Sequence, residues 1–424
     1  MLIVMLIPMM GFSPSFLEDK GYATTMEFVT NMGIGINLGN TFESCGDWIN
    51  KSSVSNFESA WGSPVITEDI IKGYADAGFG VIRVPVAWSN MMSKDYTIAP
   101  EYISRVQEVI GWILKYDMCA IMNIHWDGGW FEGFADSGKR AECFKKYSSV
   151  WTQLSEAFKD YPDTLMFESL NEEGGWDSLW NRYSNQGDKA LSFGILNDIN
   201  QTFVDVVRQS GGKNEYRHLL IAGYNTDVTL TCDSYFKMPD DPKNRCAVSV
   251  HYYTPAVFAI LDKDADWGKA RTEWGTKEDY AELNGFMDML KKRFIDNCIP
   301  VIIGEYACCG NNKTKEMADL YNTSVCEAAI ERDICPVLWD VQQSNGSDSF
   351  YDRRTGTISR PSALAKMLGA YEKRAKERRL SDVLNHIKGV KMLSDRLFDE
   401  SDVFAQDGLV DIRDWNLMFW VNAG

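Results

Sequence analysis

The sequence predicts an α/β protein: a (β/α)8 TIM barrel followed by a small α-helical C-terminal tail. Three observations predict it. Eight short apolar runs with the character of buried parallel strands recur along the chain, and helical segments separate most of them. Polar residues stand at the C-terminal tips of these runs, the rim where such barrels place their chemistry. No Gly-x-Gly-x-x-Gly turn follows the first run, which weighs against an open doubly wound sheet with a single crevice.

In order, residues 19–31 are polar and read as a helix. The first strand follows in Met32-Gly-Ile-Gly-Ile-Asn-Leu-Gly-Asn-Thr41 and ends in Asn37, Asn40 and Thr41. Residues 67–78 read as a helix, with a Thr67 cap, Glu68 and Asp69 in the first turn and Gly78 at the end. The second strand, 79–85, carries Arg83 at its tip and is stopped by Pro85. Ile103, Val106, Val109, Ile110 and Ile113 fall at helical spacing, predicting a helix over 102–115. The third strand, 118–125, ends in His125 and opens into an aromatic loop with Trp126 and Trp130.

A helix over 142–159 leads to the fourth strand, Thr164-Leu-Met-Phe-Glu-Ser-Leu, which delivers Asn171, Glu172 and Glu173 before a turn at Gly174 and Gly175. A helix over 191–209 precedes the fifth strand, 218–222, and the sixth, 247–253, carries His251 and Tyr253. A long loop with Trp267 and Trp274 and a helix over 278–297 lead to the seventh strand, 301–304, with Glu305 behind it. A helix over 315–332, the eighth strand 336–339 ending in Trp339, and a closing helix over 361–379 complete the barrel.

Three segments follow from composition: a signal-like apolar leader over 1–18, the barrel domain over 19–379 and a small helical module over 380–424. Met1 to Phe12 is almost wholly apolar. It is too short to span a bilayer, which takes about 20 residues. It suits the core of a secretory signal, although a basic n-region is missing; the expectation is a secreted, extracellular protein without a membrane span. The formal charge of −17 over 424 residues disfavours nucleic acid and anionic membranes as partners. The ten cysteines show no Cys-x-x-Cys pair of zinc spacing. Cys119, Cys298 and Cys335 sit beside strands and read as buried apolar residues. Cys232 and Cys246 bracket a polar loop and are candidates for a disulfide, and adjacent Cys308 and Cys309 for a bridge to another loop.

The chemistry rests on Glu172 and Glu305. Two carboxylates on the tips of the fourth and seventh strands of eight can face one another across the barrel mouth. Glycoside hydrolysis needs such a pair: one group protonates the leaving oxygen, and the other attacks the sugar carbon or activates water. A separation of about 5–5.5 Å gives retention through a glycosyl-enzyme intermediate. The acid must be kept protonated by burial or a negative neighbour, and the nucleophile kept ionised by cations and donors. Arg83, His251 and Tyr253 are candidates for the second task, and His125 for a sugar hydroxyl. His218 starts its strand at the opposite end and has no assigned role. Trp339 at a strand tip suits the apolar face of a sugar ring. Each of Trp126, Trp130, Trp176 and Trp180 alone is more readily explained as packing, but together on one rim they favour a carbohydrate cleft.

These residues form a recognisable set. Asn37-Leu-Gly-Asn-Thr41, Arg83-Val-Pro85, Asn123-Ile-His125, Asn171-Glu172, His251-Tyr-Tyr253, Gly304-Glu305-Tyr306 and Trp339 resemble glycoside hydrolase family 5 of clan A over about residues 20–375. The stretch from Trp274-Gly-Thr to Ile303-Gly-Glu305 looks most like its endoglucanase and xyloglucanase branch, subfamily 4. The resemblance implies a retaining endo-β-1,4-glucanase that needs no metal or other cofactor. It makes Glu172 the acid/base and Glu305 the nucleophile. Asn171 would bind the 2-hydroxyl at the cleavage point, and Arg83 and Tyr253 would surround the nucleophile. His125 and His251 would line the subsite over Trp339, with Asn40 and Trp126 counted among the substrate-binding positions. One departure stands out. The family usually has proline after the acid/base, where this chain has Glu173, expected to point into solvent.

The tail from Leu380 resembles a degenerate dockerin, the module that docks cellulases onto a scaffoldin, in Gly389-Val-Lys-Met-Leu-Ser and in Asp407-Gly-Leu-Val-Asp-Ile-Arg-Asp414. With Gly408 at the glycine position of a calcium loop, Val403 and Ala405 fall where oxygen ligands belong, so a solvated acidic turn is the plainer reading and a cohesin partner an additional one. The polymer substrates expected are cellulose, mixed-linkage glucan and xyloglucan. The alternatives are a mannanase or xylanase of the same fold, a carbohydrate-binding protein without catalysis, which would lack one of the two glutamates, and a purely structural scaffold subunit, for which only the tail speaks.

Overall fold

The computed structural model describes residues 18–342, 349–404, 406 and 408–421; the leader Met1 to Phe12 and Asp407 lie outside them. The barrel strands are β1 (Gly35–Asn37), β2 (Val81–Val84), β3 (Cys119–Asn123), β4 (Leu165–Glu168), β5 (Leu219–Asp227), β6 (Cys246–Tyr252), β7 (Val301–Tyr306) and β8 (Cys335–Leu338). Each pairs in parallel with its neighbours in sequence, and β8 closes on β1 through Gly35 opposite Val337 and Ile36 opposite Leu338. All eight expected strands are present.

Several of the helices between them start where a side chain replaces a missing backbone partner. Thr67 caps Glu68–Asp76 by accepting from the Ile70 N–H, and Thr276 and Asp279 form a reciprocal capping box on Lys277–Arg293. The first helix begins at Thr25 rather than at residue 19, because Thr24 supplies the cap. A short helix, Val54–Ala60, sits in the β1–β2 connection; its few residues are too short a run for periodicity to reveal.

Two apolar layers hold the fold. The outer layer lies between strands and helices. The inner one fills the lower barrel: Val81, Cys119, Ile121, Met166, Leu220, Ala247, Ile302, Cys335 and Val337 meet Phe28 and Val29 from helix Thr25–Asn31, which closes the bottom, and Met32 just after it. Strand alternation carries the same inward-facing rows upward into polar residues: Val81 to Arg83, Ile121 to Asn123, Met166 to Glu168, and Ala247 through Ser249 to His251. On β7 alternation alone would turn Gly304 inward and Glu305 outward. The pairing slips there: Val250 lies opposite Ile303, but His251 lies opposite Glu305. This irregularity brings Glu305 to the mouth beside Gly304. A side chain at residue 304 would crowd the site, since a Cβ would sit 3.0 Å from Ser249 Oγ and 3.2 Å from His251 Nε2.

All ten cysteines are free thiols. The disulfides considered for Cys232 with Cys246 and for Cys308 or Cys309 are therefore not formed; Cys246 Sγ lies instead 3.5 Å from Asp241. Cys119 and Cys335 are buried as expected, whereas Cys298 is exposed, in a left-handed turn after the Ile295–Asn297 helical turn.

The closing helix runs over Pro361–Ile387, past the expected end at 379. Helices Asp395–Ser401 and Ile412–Val421 fold back on it around Val383, Val410 and Met418. Arg396 ties this tail to Glu27 at 2.8 Å. The Asp414 carboxylate accepts the N–H groups of Val403, Phe404 and Asp411, and Asp402 accepts that of Gly408. No described helix is long and apolar enough to cross a membrane.

Candidate active site

The polar ends of the inner rows converge at the C-terminal mouth. Arg83, fully buried on β2, is the hub. Its Nε donates to Glu168 Oε2 at 2.7 Å, Nη1 to Glu305 Oε1 at 2.7 Å and to Asn37 Oδ1 at 3.0 Å, and Nη2 to Asn171 Oδ1 at 2.8 Å. A buried guanidinium is tolerated only when so engaged. Glu168 supplies the second countercharge and is itself held by Asn123 Nδ2 at 3.0 Å and Ser249 Oγ at 2.7 Å. No role was assigned to Glu168 or Ser249 from sequence. The signal was a lone carboxylate inside an apolar strand, which must find a cation.

Glu305 also accepts from the Tyr253 hydroxyl at 3.0 Å. His251 bridges the two carboxyl groups: Nδ1 lies 2.7 Å from Glu172 Oε1 and 3.6 Å from Glu305 Oε2. An oxygen of Glu172, an oxygen of Glu305 and a ring nitrogen of His251 all lie within 4.8 Å of one another. The two carboxylates thus stand as close as a retaining pair requires. Glu305 is buried, whereas the Glu172 side chain is 45% exposed and open to the cleft.

The electrostatics of the site follow from these contacts. Burial, seconded by the charge of Glu172, raises the Glu305 carboxyl above the usual glutamate range, against the opposing charges of His251 and Arg83. At Glu172 the partial loss of water beside the cleft also favours the proton, but the His251 hydrogen bond and the charges of His251 and Arg83 outweigh it and hold that carboxyl low. His125 is held well below its ordinary value by burial and by Arg83 and His251, so it is a neutral imidazole. Its ring runs parallel to Trp339, with centroids 5.9 Å apart and planes within 7°.

Of the expected sugar-binding residues, Arg83, Asn171, His251 and Tyr253 gather around the carboxylates, with His125 and Trp339 beside them. Trp126 stands on the rim, 52% exposed. Asn40 makes no hydrogen bond with Glu172, Glu305 or Arg83. It occupies a left-handed turn after β1, with its amide on the Trp61 carbonyl at 3.4 Å and its N–H on Glu43; Asn37, three residues earlier, reaches Arg83 instead. Trp176 and Trp180 are buried packing residues, and Trp130 donates to Asp127 at 2.7 Å. Glu173 does not point into solvent: it is 8% exposed, in the wall of the mouth. His218 lies at the bottom, stacked on Phe28 and 2.9 Å from Thr25 Oγ1.

The family description "Cellulase (glycosyl hydrolase family 5)" matches residues 42–345. The chain belongs to glycosyl hydrolase family 5. Among relatives of this family 5 enzyme, the xyloglucan-specific endo-β-1,4-glucanase of Bacteroides ovatus is 31% identical over 366 residues, covering 81% of this chain and 70% of the relative. Endoglucanase A of Clostridium longisporum is 33% identical over 344 residues, covering 80% of this chain and 64% of the relative. The structure of a broad specificity endoglucanase of the GH5-4 branch from an uncultured bovine rumen ciliate superposes with a TM-score of 0.74 at 33% identity, covering 83% of this chain and 99% of that one. The expected family and barrel fold are both met in this glycoside hydrolase.

Proposed function

We propose that this enzyme cleaves internal β-1,4-glucosidic bonds of plant cell-wall glucans (cellulose, mixed-linkage glucan and xyloglucan) with retention of configuration. The observation that carries this reading is the proximity of Glu172 and Glu305 in the mouth of a family 5 barrel. In the first half of the reaction, Glu305 attacks the anomeric carbon while Glu172 gives its proton to the glycosidic oxygen, breaking that bond and leaving a glycosyl ester on Glu305. In the second half, Glu172 takes a proton from water, the oxygen attacks the anomeric carbon and Glu305 is released as a carboxylate.

The reaction needs the proton on Glu172 and the charge on Glu305, the reverse of what the protein contacts alone favour. Substrate supplies the difference. A sugar covering Glu172 removes its water and strengthens the preference for the neutral acid, and positive charge developing on the ring favours an ionised Glu305. Arg83 and Tyr253 already donate to that carboxylate. Asn171 gives its oxygen to Arg83 and makes no other hydrogen bond to a described side chain. That leaves its N–H groups for the 2-hydroxyl, where a contact strengthens in the transition state.

Glu172→Ala and Glu305→Ala are each expected to lower hydrolysis of a soluble β-1,4-glucan by several orders of magnitude, with the β-anomer as the first product of the wild type. Near-normal turnover in either variant removes that residue from the mechanism. Parallel assays on carboxymethyl-cellulose, lichenan, xyloglucan and mannan fix the polymer preference. Secretion and cohesin docking through residues 380–424 are further proposals, supported only by the leader composition and the resemblance of the tail. Calorimetry with calcium and a cohesin, before and after removal of residues 389–424, tests the second.

A further inference from the structure

The seam where β8 closes on β1 is short: Gly35 lies opposite Val337, Ile36 opposite Leu338, and one further parallel bridge joins Gly39 to Val341. At its mouth end lies a buried cation that the mechanism does not use. Arg353 follows the two-residue strand Tyr351–Asp352, which pairs antiparallel with Thr357–Ile358 in the connection from β8 to the closing helix. Its Nε donates to the Tyr74 hydroxyl at 2.9 Å, Nη1 to the Gly39 carbonyl at 2.7 Å and Ser63 Oγ at 3.0 Å, and Nη2 to the Asp340 carbonyl at 3.0 Å. Thr41 Oγ1 at 3.2 Å and the Asn37 carbonyl at 3.5 Å are longer contacts. Among the described residues its acceptors are thus carbonyl and hydroxyl oxygens, with no carboxylate.

A buried guanidinium is tolerated where its donors are met. Its rigid planar fork also fixes the atoms it meets relative to one another. The two closest carbonyls it holds stand at the ends of both seam strands: Gly39 is two residues past β1, and Asp340 two residues past β8. The same Asp340 oxygen accepts the Gly39 N–H at 3.1 Å. Both residues border Trp339. Asp340 follows it directly in the chain, and Gly39 lies against its indole, since a Cβ at 39 would sit 3.2 Å from Trp339 Cη2 and 2.7 Å from the Asp340 oxygen. On its other side the Trp339 N–H donates to the Tyr306 carbonyl of β7 at 3.0 Å. Tyr74, on helix Glu68–Asp76, anchors the guanidinium from the layer outside the strands.

We infer that Arg353 is a positioning residue: by clamping the Gly39 and Asp340 carbonyls it sets the Trp339 indole in place as the face on which a sugar ring stacks. This rests on the reading of Trp339 as a sugar-stacking residue. The test is a double-mutant cycle on a short cello-oligosaccharide, with Trp339→Ala, Arg353→Met and the two combined. Arg353→Met alone is expected to raise KM about fivefold, against about tenfold for loss of the indole itself, with a smaller change in kcat. On the Trp339→Ala background it is expected to raise KM by less than about twofold, because a residue that acts through another then has nothing left to act on. KM losses that multiply in the double variant overturn the proposal. So does an Arg353→Met protein with a lowered urea midpoint and wild-type KM, which makes the arginine a staple of the seam alone. A loss confined to kcat overturns it too, tracing the effect through Asn37 to Arg83 instead. Arg353→Lys keeps a buried cation but not the fork, and it carries the same cycle and the same outcomes where Arg353→Met does not fold. Unchanged KM in Trp339→Ala by itself fails the reading of Trp339, and the inference falls with it.

Discussion

Arg83 and Glu168 meet 2.7 Å apart inside the barrel, with neither side chain exposed to solvent. The same guanidinium reaches Glu305 at an equal distance, so the charge that steadies the nucleophile is itself steadied from below. Glu168→Gln removes that lower countercharge while keeping the shape. It is expected to cost about 3 kcal/mol of stability, the lower end for breaking a buried pair, and to reduce kcat by about a hundredfold, in the range of a displaced electrostatic group. Urea denaturation and steady-state kinetics check both. A variant with wild-type kcat would show that Arg83 is held without Glu168.

His251 controls the proton on Glu172. Its hydrogen bond and charge, with the charge of Arg83, hold that carboxyl low against the loss of water. In His251→Asn the lowering interactions are weakened, so the Glu172 carboxyl rises and its protonated form persists to higher pH. The alkaline limb of kcat/KM should therefore move up the pH scale, while kcat falls as Glu305 loses its other neighbour. A pH–rate profile with an unmoved alkaline limb would separate His251 from the acid/base.

Trp339 lies parallel to His125 at the edge of the site. In Trp339→Ala the stacking face for a sugar ring is lost. KM for short cello-oligosaccharides is expected to rise about tenfold, near the upper end of what one aromatic contact contributes, with a smaller change in kcat. Initial rates over a range of oligosaccharide concentrations measure the split.

Several buried carboxyls hold their protons unusually long, and this sets the direction of the stability profile. Burial raises Glu43 to about 7 and Asp127 and Asp340 to about 6. Between the unfolded value of about 4 and these folded values, the native state binds more protons than the unfolded state, so stability falls as pH rises. The contribution is full below about pH 4 and is lost by about pH 7. Urea midpoints should decline from about pH 5 to about pH 7.5, and Glu43→Gln should flatten the decline. A midpoint that rises over this range would contradict the assignment.

Much of the barrel was legible because its signals are local. Eight apolar runs with polar tips need no long-range knowledge, and Arg83, Glu172, His251 and Glu305 announce themselves as polar groups where a buried strand ends. What was hidden depended on the partner strand or on the direction of one side chain. Alternation along β7 would send Glu305 outward; only the slip against β6 turns it in. Asn40 and Asn37 are equally polar at the end of β1, and the left-handed turn at Asn40 decides between them. Glu173 looked like a solvated charge because composition cannot distinguish an acid facing water from one buried in the wall of the mouth. The packing role of Trp176 and Trp180 was hidden for the same reason, since loop position says nothing of depth.

On β2 and β4 the inward rows change from hydrocarbon to ion-pair chemistry within two residues, from Val81 to Arg83 and from Met166 to Glu168. Heat tolerance and turnover are therefore addressed by different storeys of one tube. Residues such as Ile121, Met166 and Val337 can be re-sorted for a tighter foundation while Arg83, Glu168 and His251 above them keep their positions. Directed evolution for hotter biomass processing has a natural place to begin, below the floor on which the sugar rests.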